Sequence, residues 1–158
     1  MRIIAVDGPS GAGKSSYAAT LGLPVVPTDH FATWEDPVAW WPRLVHGVIE
    51  PLLRGEPGRY RRMDWSGGVP VLGAEVLVEP TDTLVVEGVS SGRRAASRWL
   101  SQLVWVDAPD SLERAVRRDG EASRANLVRW KEFERGWFAV DRTRERADLV
   151  WCPQTLVG

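Results

Sequence analysis

The twelve residues AVDGPSGAGKSS, positions 5–16, hold three glycines, one lysine and three serines directly after a short apolar run. Gly8, four intervening residues, then Gly13, Lys14 and Ser15 have the spacing of a loop whose backbone amides wrap a phosphate chain at a helix N-terminus. Gly8, Gly11 and Gly13 permit positive φ and close backbone approach, while Ser10, Ala12 and Ser16 complete the row of backbone donors. Lys14 reaches terminal phosphates as a point charge, and the Ser15 hydroxyl suits magnesium. Of the 20 basic residues only Lys14 and Lys131 are lysines, so an arginine-biased chain spends one of its two lysines where such a loop requires one.

A loop that holds a phosphate donor needs acceptor chemistry from other strand ends. In VVPTDHF, Asp29 stands just past an apolar run, where its carboxylate suits either a base for an attacking hydroxyl or the cap of a turn. Glu87 ends VVEG, a position that fits an acid linked to magnesium. Asp7, directly before the loop, is the other candidate for the base or for magnesium, and Asp107 is a weaker one. Arg59, Arg61 and Arg62 form one basic group; Arg114, Arg117, Arg118 and Arg124 form another around a polar stretch. Guanidinium groups stabilise the charge that phosphoryl transfer spreads over equatorial oxygens, so Arg117, Arg118 and Arg124 are candidate catalytic residues. Nine tryptophans are present. Trp34, Trp40, Trp41 and Trp65 gather with Phe31 and Tyr60 on the acceptor side, where rings stack on planar groups or simply fill a core. Phe31, Arg59, Arg61, Arg62 and Trp65 are the residues expected, with Asp29, to contact the acceptor. His30 and His46 have no metal-ligand spacing.

These residues need a frame. RIIAV reads as a buried parallel strand and KSSYAATLG as the helix after it. Four more strand-sized runs lie at 23–28, 83–88, 102–109 and 147–152. Helical patterns separate them: one from Asp36 as N-cap and Pro37 to Gly55, interrupted at Pro42 and Pro51; one over DSLERAVRRDG; and one from Arg124, with Leu127, Trp130, Phe133 or Glu134, and Trp137 on its apolar side. The alternation predicts a single α/β domain over 1–158, a doubly wound parallel sheet with ligands beyond the carboxyl ends of its strands. Residues 56–80 read as an inserted hairpin on the acceptor side, and 117–126 as a mobile polar lid.

With strand, loop and acids quoted, a resemblance is visible. IIAVDGPSGAGKSS and the patches after it resemble the P-loop nucleoside and nucleotide kinases, most closely their uridine kinase-like group; the opening is also similar to cytidylate kinases. PTDHF resembles the D-x-F element of the uridine kinase-like enzymes, which implies that Asp29 is the catalytic base and Phe31 the matching aromatic. VVEGV resembles their third-strand end and assigns the magnesium-linked acid to Glu87. RRD at 117–119 is similar to the start of their lid, and ADLV to their last strand. The resemblance implies a three-layer P-loop NTPase fold, a five-stranded parallel sheet with helices on both faces, with ATP and Mg2+ as cofactors. Ala32 stands where a tyrosine commonly follows, and the usual arginine-glycine pair after Asp119 is missing, leaving Arg124 as its substitute.

Composition narrows the classes. Twenty basic against 21 acidic residues give no general attraction to nucleic acid or an anionic membrane. The apolar runs are strand-sized and the start lacks a signal sequence, so a cytoplasmic protein, monomer or homodimer, acting on a small-molecule acceptor is expected. One cysteine, Cys152, allows no internal disulfide and is expected to be a packed thiol. Three readings remain: a nucleoside or nucleotide kinase, a kinase of another hydroxyl acceptor such as a sugar, hydroxy acid or antibiotic, and a regulatory ATPase. No NKxD segment that reads guanine is evident.

Overall fold

The computed structural model describes residues 1–153. Five strands, β1 (Arg2–Asp7), β2 (Val25–Pro27), β5 (Thr83–Glu87), β6 (Leu100–Val106) and β7 (Leu149–Trp151), form one sheet in the order β2-β5-β1-β6-β7. Every pairing in it is parallel. β1 and β5 sit centrally and are apolar on both faces, as burial on both sides demands. Ile3, Leu84 and Val86 face one core cluster, while Ile4, Val6 and Val85 face the other. Pro27 is tolerated because β2 is an edge strand.

Helix α1 (Lys14–Thr20) covers the second face through Ala18. The first face is covered by α2 (Trp41–Leu44), a π-turn over Val45–Ile49, and α3 (Glu50–Leu53). Helix α2 starts later than the sequence suggests. Asp36 does accept a hydrogen bond from the Ala39 amide at 2.7 Å, but it closes only a turn, and Pro42 takes the first-turn place. Pro51 lacks an N–H for the helical ladder, and the backbone widens into the π-turn just before it.

The inserted segment is an antiparallel hairpin, β3 (Gly58–Asp64) and β4 (Val71–Val78), anchored to the first core by Tyr60 and Val78. On the other side of the sheet order lie α4 (Ser111–Asp119), α5 (Arg124–Asp141) and α6 (Thr143–Arg146). The stretch expected as a lid holds the end of α4, a short turn and the start of α5. Gly120 ends α4 with φ +91°, a single 3-10 turn spans Glu121–Ser123, and Arg124 already begins α5. Arg124 bridges Glu113 and Glu121 at 2.8 and 2.5 Å, which fixes the connection. Cys152 is exposed beyond β7, not packed as expected, because the edge strand ends before it.

Candidate active site

The loop after β1 closes as the glycine spacing predicts. Gly8, Gly11 and Gly13 have φ of +142°, +79° and +100°. Gly11 shows why no side chain is allowed: a Cβ there would stand 2.1 Å from the Ser111 carbonyl oxygen and 2.9 Å from the Ala115 amide, against the first turn of α4. Lys14 begins α1, is mostly buried, and donates from Nζ to the Pro9 carbonyl at 3.0 Å across the loop. Ser15 Oγ donates to Glu87 Oε1 at 3.0 Å, joining the loop to the end of β5.

Asp29 arrives from the edge strand. Residues Thr28–His30 form a 3-10 turn directly after β2, and Gly88 lets this turn approach β5. Gly88 has φ +129°, and a Cβ on it would lie 1.9 Å from Thr28 Oγ1. Trp65, following β3, donates from Nε1 to the Asp29 carbonyl at 2.8 Å and holds the turn from the hairpin side. Lys14, Ser15, Asp29, Glu87, Arg114 and Arg118 then line one cavity of about 260 Å³ beyond the carboxyl ends of the strands.

Electrostatics follow from burial and charge. Burial, with Asp29 nearby, pushes the Glu87 carboxyl up from its ordinary value, and Lys14 and the Ser15 hydrogen bond oppose this. The donor set suits a divalent cation: a hydroxyl and a carboxylate 3.0 Å apart.

The arginines differ in what their side chains reach. Arg114 and Arg118, one turn apart on α4, face the cavity. Arg118 donates its fork to Asp119 at 2.6 and 2.8 Å, and that hydrogen bond raises its pKa. Arg117, three residues after Arg114 on the same helix, does not line the cavity and lies 3.8 Å from Asp110. Arg124 is held by its two glutamates and does not reach the cavity. Arg114 was grouped with the others in the sequence but not singled out; the i, i+4 spacing to Arg118 was the signal.

Three further expectations are corrected. Phe31 is 1% exposed, stacked on Tyr60 and Trp40 in the first core rather than open to an acceptor. Arg59 pairs with Glu75 at 3.2 Å and Arg61 donates to the Gly73 carbonyl at 2.9 Å, so both serve the hairpin. Arg62 is exposed on the same hairpin and does not line the cavity. Asp7 is fully buried: its carboxylate accepts from the amides of Gly8, Ser90 and Gly92 at 2.7, 3.0 and 2.8 Å, out of the cavity. It clamps the loops after β1 and β5. His30 meets the Tyr60 hydroxyl at 2.7 Å; burial lowers the histidine and pushes the tyrosine up to about 12, so a neutral ring accepting from the phenol fits both.

A second cavity, also about 260 Å³, opens between the loop after Asp29 and α5, lined by Trp34, Pro37, Asn126, Arg129, Trp130 and Phe133. Trp34 and Trp130 meet edge to face at 5.5 Å, and Trp34 meets Trp65 at 5.1 Å. Helix α5 therefore buries Glu134 and leaves Phe133 exposed at 37%, resolving the choice left open by the periodicity.

No protein-family model matches the chain, and no curated protein matches it. Solved structures do. A possible uridine kinase from Bacillus stearothermophilus superposes with a TM-score of 0.61 at 16% identity, over 95% of this chain and 88% of that one. A candidate fructose transport system kinase from Silicibacter sp. TM1040 gives 0.60 at 22% identity, over 95% and 89%. A Thermus thermophilus protein gives 0.53 at 21% identity, over 99% and 90%. With the hairpin set aside, the strands run 2-3-1-4-5 across one parallel sheet, with the glycine loop after the central strand. The chain shares the fold of these solved structures, an α/β domain built on a parallel sheet in that strand order.

Proposed function

We propose that the protein is a kinase that moves the γ-phosphoryl group of ATP to a hydroxyl or phosphate of a small molecule, with a nucleoside or nucleotide as the favoured acceptor. One observation carries the reading: Lys14, the Ser15–Glu87 pair and Asp29 open into the same cavity. Two of the structural neighbours are named as kinases, which supports the reaction class.

In this reading the amides of the loop and Lys14 hold the donor phosphates, Lys14 exchanging the Pro9 carbonyl for them. Ser15 and Glu87 would hold magnesium, which when bound neutralises charge on the β- and γ-phosphates. Asp29 accepts the proton of the acceptor hydroxyl as its oxygen bonds to the γ-phosphorus and the bond to the ADP oxygen breaks. Arg114 and Arg118 face the equatorial oxygens; Arg118 exchanges its Asp119 carboxylate for phosphate. The second cavity, lined by Trp34 and Trp130, suits an acceptor bearing a planar ring.

The test is ADP release from ATP, with and without magnesium, across nucleosides, nucleotides, sugars and small hydroxy acids. Release that depends on both magnesium and one acceptor class is expected. Identical turnover with every acceptor and with none would overturn the kinase reading in favour of a regulatory ATPase.

A further inference from the structure

Ser10, the third residue of the phosphate loop, is gripped by α5 from outside the cavity. Trp130 Nε1 donates to Ser10 Oγ at 2.9 Å, Ser10 Oγ donates to Glu134 Oε1, and the Ser10 amide donates to the same oxygen at 3.0 Å. Lys131 Nζ donates to the Ser10 carbonyl and to Ser111 Oγ, the latter at 2.8 Å, and lies 3.5 Å from Glu134 Oε2. One ammonium thus reaches the loop, the first residue of α4 and its own helix. It is also the second of the only two lysines in the sequence.

Depth makes these contacts informative. The Glu134 side chain is 2% exposed and that of Lys131 13%. A buried ion pair is a poor way to gain stability, since desolvation offsets much of the attraction, and apolar residues would pack α5 on the loop with less penalty. What an ion pair with directed hydrogen bonds supplies is register. The elements it ties are the ones whose relative position matters: Gly11 packs on the Ser111 carbonyl and the Ala115 amide, and α4 carries Arg114 and Arg118 into the cavity. Neither Lys131 nor Glu134 lines that cavity.

We propose that Lys131 and Glu134 are positioning residues that lock the phosphate loop and the arginine-bearing helix α4 in one register. They set the distance between the loop amides and Arg114 and Arg118. The part of this that concerns phosphates rests on the proposed function above; the register lock itself does not.

Hydrogen exchange of the full chain without nucleotide tests the lock directly. Lys131→Met, and Glu134→Gln as a second variant that keeps shape should the first fail to fold, should speed exchange in peptides covering residues 9–13 and 110–114 by about tenfold or more, with β1 and β5 changed less than about twofold. Unaltered exchange in both peptides would overturn the proposal. Calorimetry with ATP supplies the second arm. Lys131→Met should weaken ATP binding about tenfold in the wild-type background and by a clearly smaller factor when Arg114 and Arg118 are already alanine, because part of its effect runs through them and the rest through the loop amides. Equal weakening in both backgrounds would overturn the claim that the lock sets the position of Arg114 and Arg118. Wild-type protein that binds no ATP would sink the proposed function, while the exchange experiment would still judge the lock.

Discussion

Gly88→Ala should separate acceptor chemistry from folding. The added Cβ would stand 1.9 Å from Thr28 Oγ1, 2.9 Å from Thr28 Cβ and 3.1 Å from Thr28 Cγ2, where ordinary contact begins at 3.4 Å. Rotating the threonine hydroxyl cannot relieve all three, and Thr28 is only 2% exposed, so the turn that carries Asp29 must move by about 1 Å. Positive φ at this residue adds strain of roughly 1–3 kcal/mol, which lowers the melting temperature without unfolding the sheet. A displacement of that size at a reacting group costs turnover roughly 10²-fold. Acceptor-dependent ADP release should fall by that order, while thermal denaturation still shows one cooperative transition. Thr28→Ala in the same chain removes Oγ1 and Cγ2, and should restore turnover at least fivefold. Turnover within about threefold of wild type in the single variant would refute the claim that this close approach positions Asp29.

Two further predictions follow from the site. Arg114→Ala should lower acceptor-dependent turnover by roughly 10–10³-fold, whereas Arg117→Ala and Arg124→Ala should stay within about twofold, a difference that steady-state kinetics on the folded variants would read. Burial raises the Asp7 pKa from 3.8 to about 6, against three amide hydrogen bonds and the Lys14 charge, which lower it. The folded state therefore binds the proton more tightly than the unfolded chain. The contribution of Asp7 to stability is fully present below about pH 4 and is lost as pH rises through about 6, a change of ~3 kcal/mol. Denaturant unfolding of wild type and Asp7→Asn should show their stability difference moving toward the variant by about that much between pH 4 and 7; movement the other way would show that the amides win.

Much of this was legible in the residues because strand burial and loop geometry are local. Ile3, Ile4, Val6 and Leu84 to Val86 announce strands apolar on both faces, and the phosphate loop announces itself by glycines that only positive φ requires. That Asp29 and Glu87 line one cavity was legible because a parallel sheet brings strand ends together. The arginines were harder. Their number identified a basic region, but Arg114, Arg117 and Arg118 share one stripe of α4 and only the three-dimensional cavity tells which of them line it, and only the acids at 113 and 121 explain why Arg124 is held away. Phe31 reads equally well as a stacking ring or a core ring, and its neighbours Tyr60 and Trp40, distant in sequence, decide it. Asp7 next to the loop invites a catalytic reading, but its carboxylate is taken up by three amides, two of which lie more than 80 residues away, at 90 and 92. The grip of α5 on Ser10 spans 120 residues or more and leaves no local pattern beyond a glutamate on an otherwise apolar stripe.

The central claim is that Asp29 directs the γ-phosphate to an acceptor hydroxyl. The direct measurement is transfer of labelled γ-phosphate from ATP to the best acceptor by wild type and by Asp29→Asn, with ATP affinity measured on the same samples. The substitution nearly preserves shape and removes only charge and basicity, so transfer should fall by roughly 10²–10⁴-fold while ATP affinity stays within about threefold. Transfer by Asp29→Asn within about threefold of wild type would contradict the account and return Asp29 to the role of a turn residue.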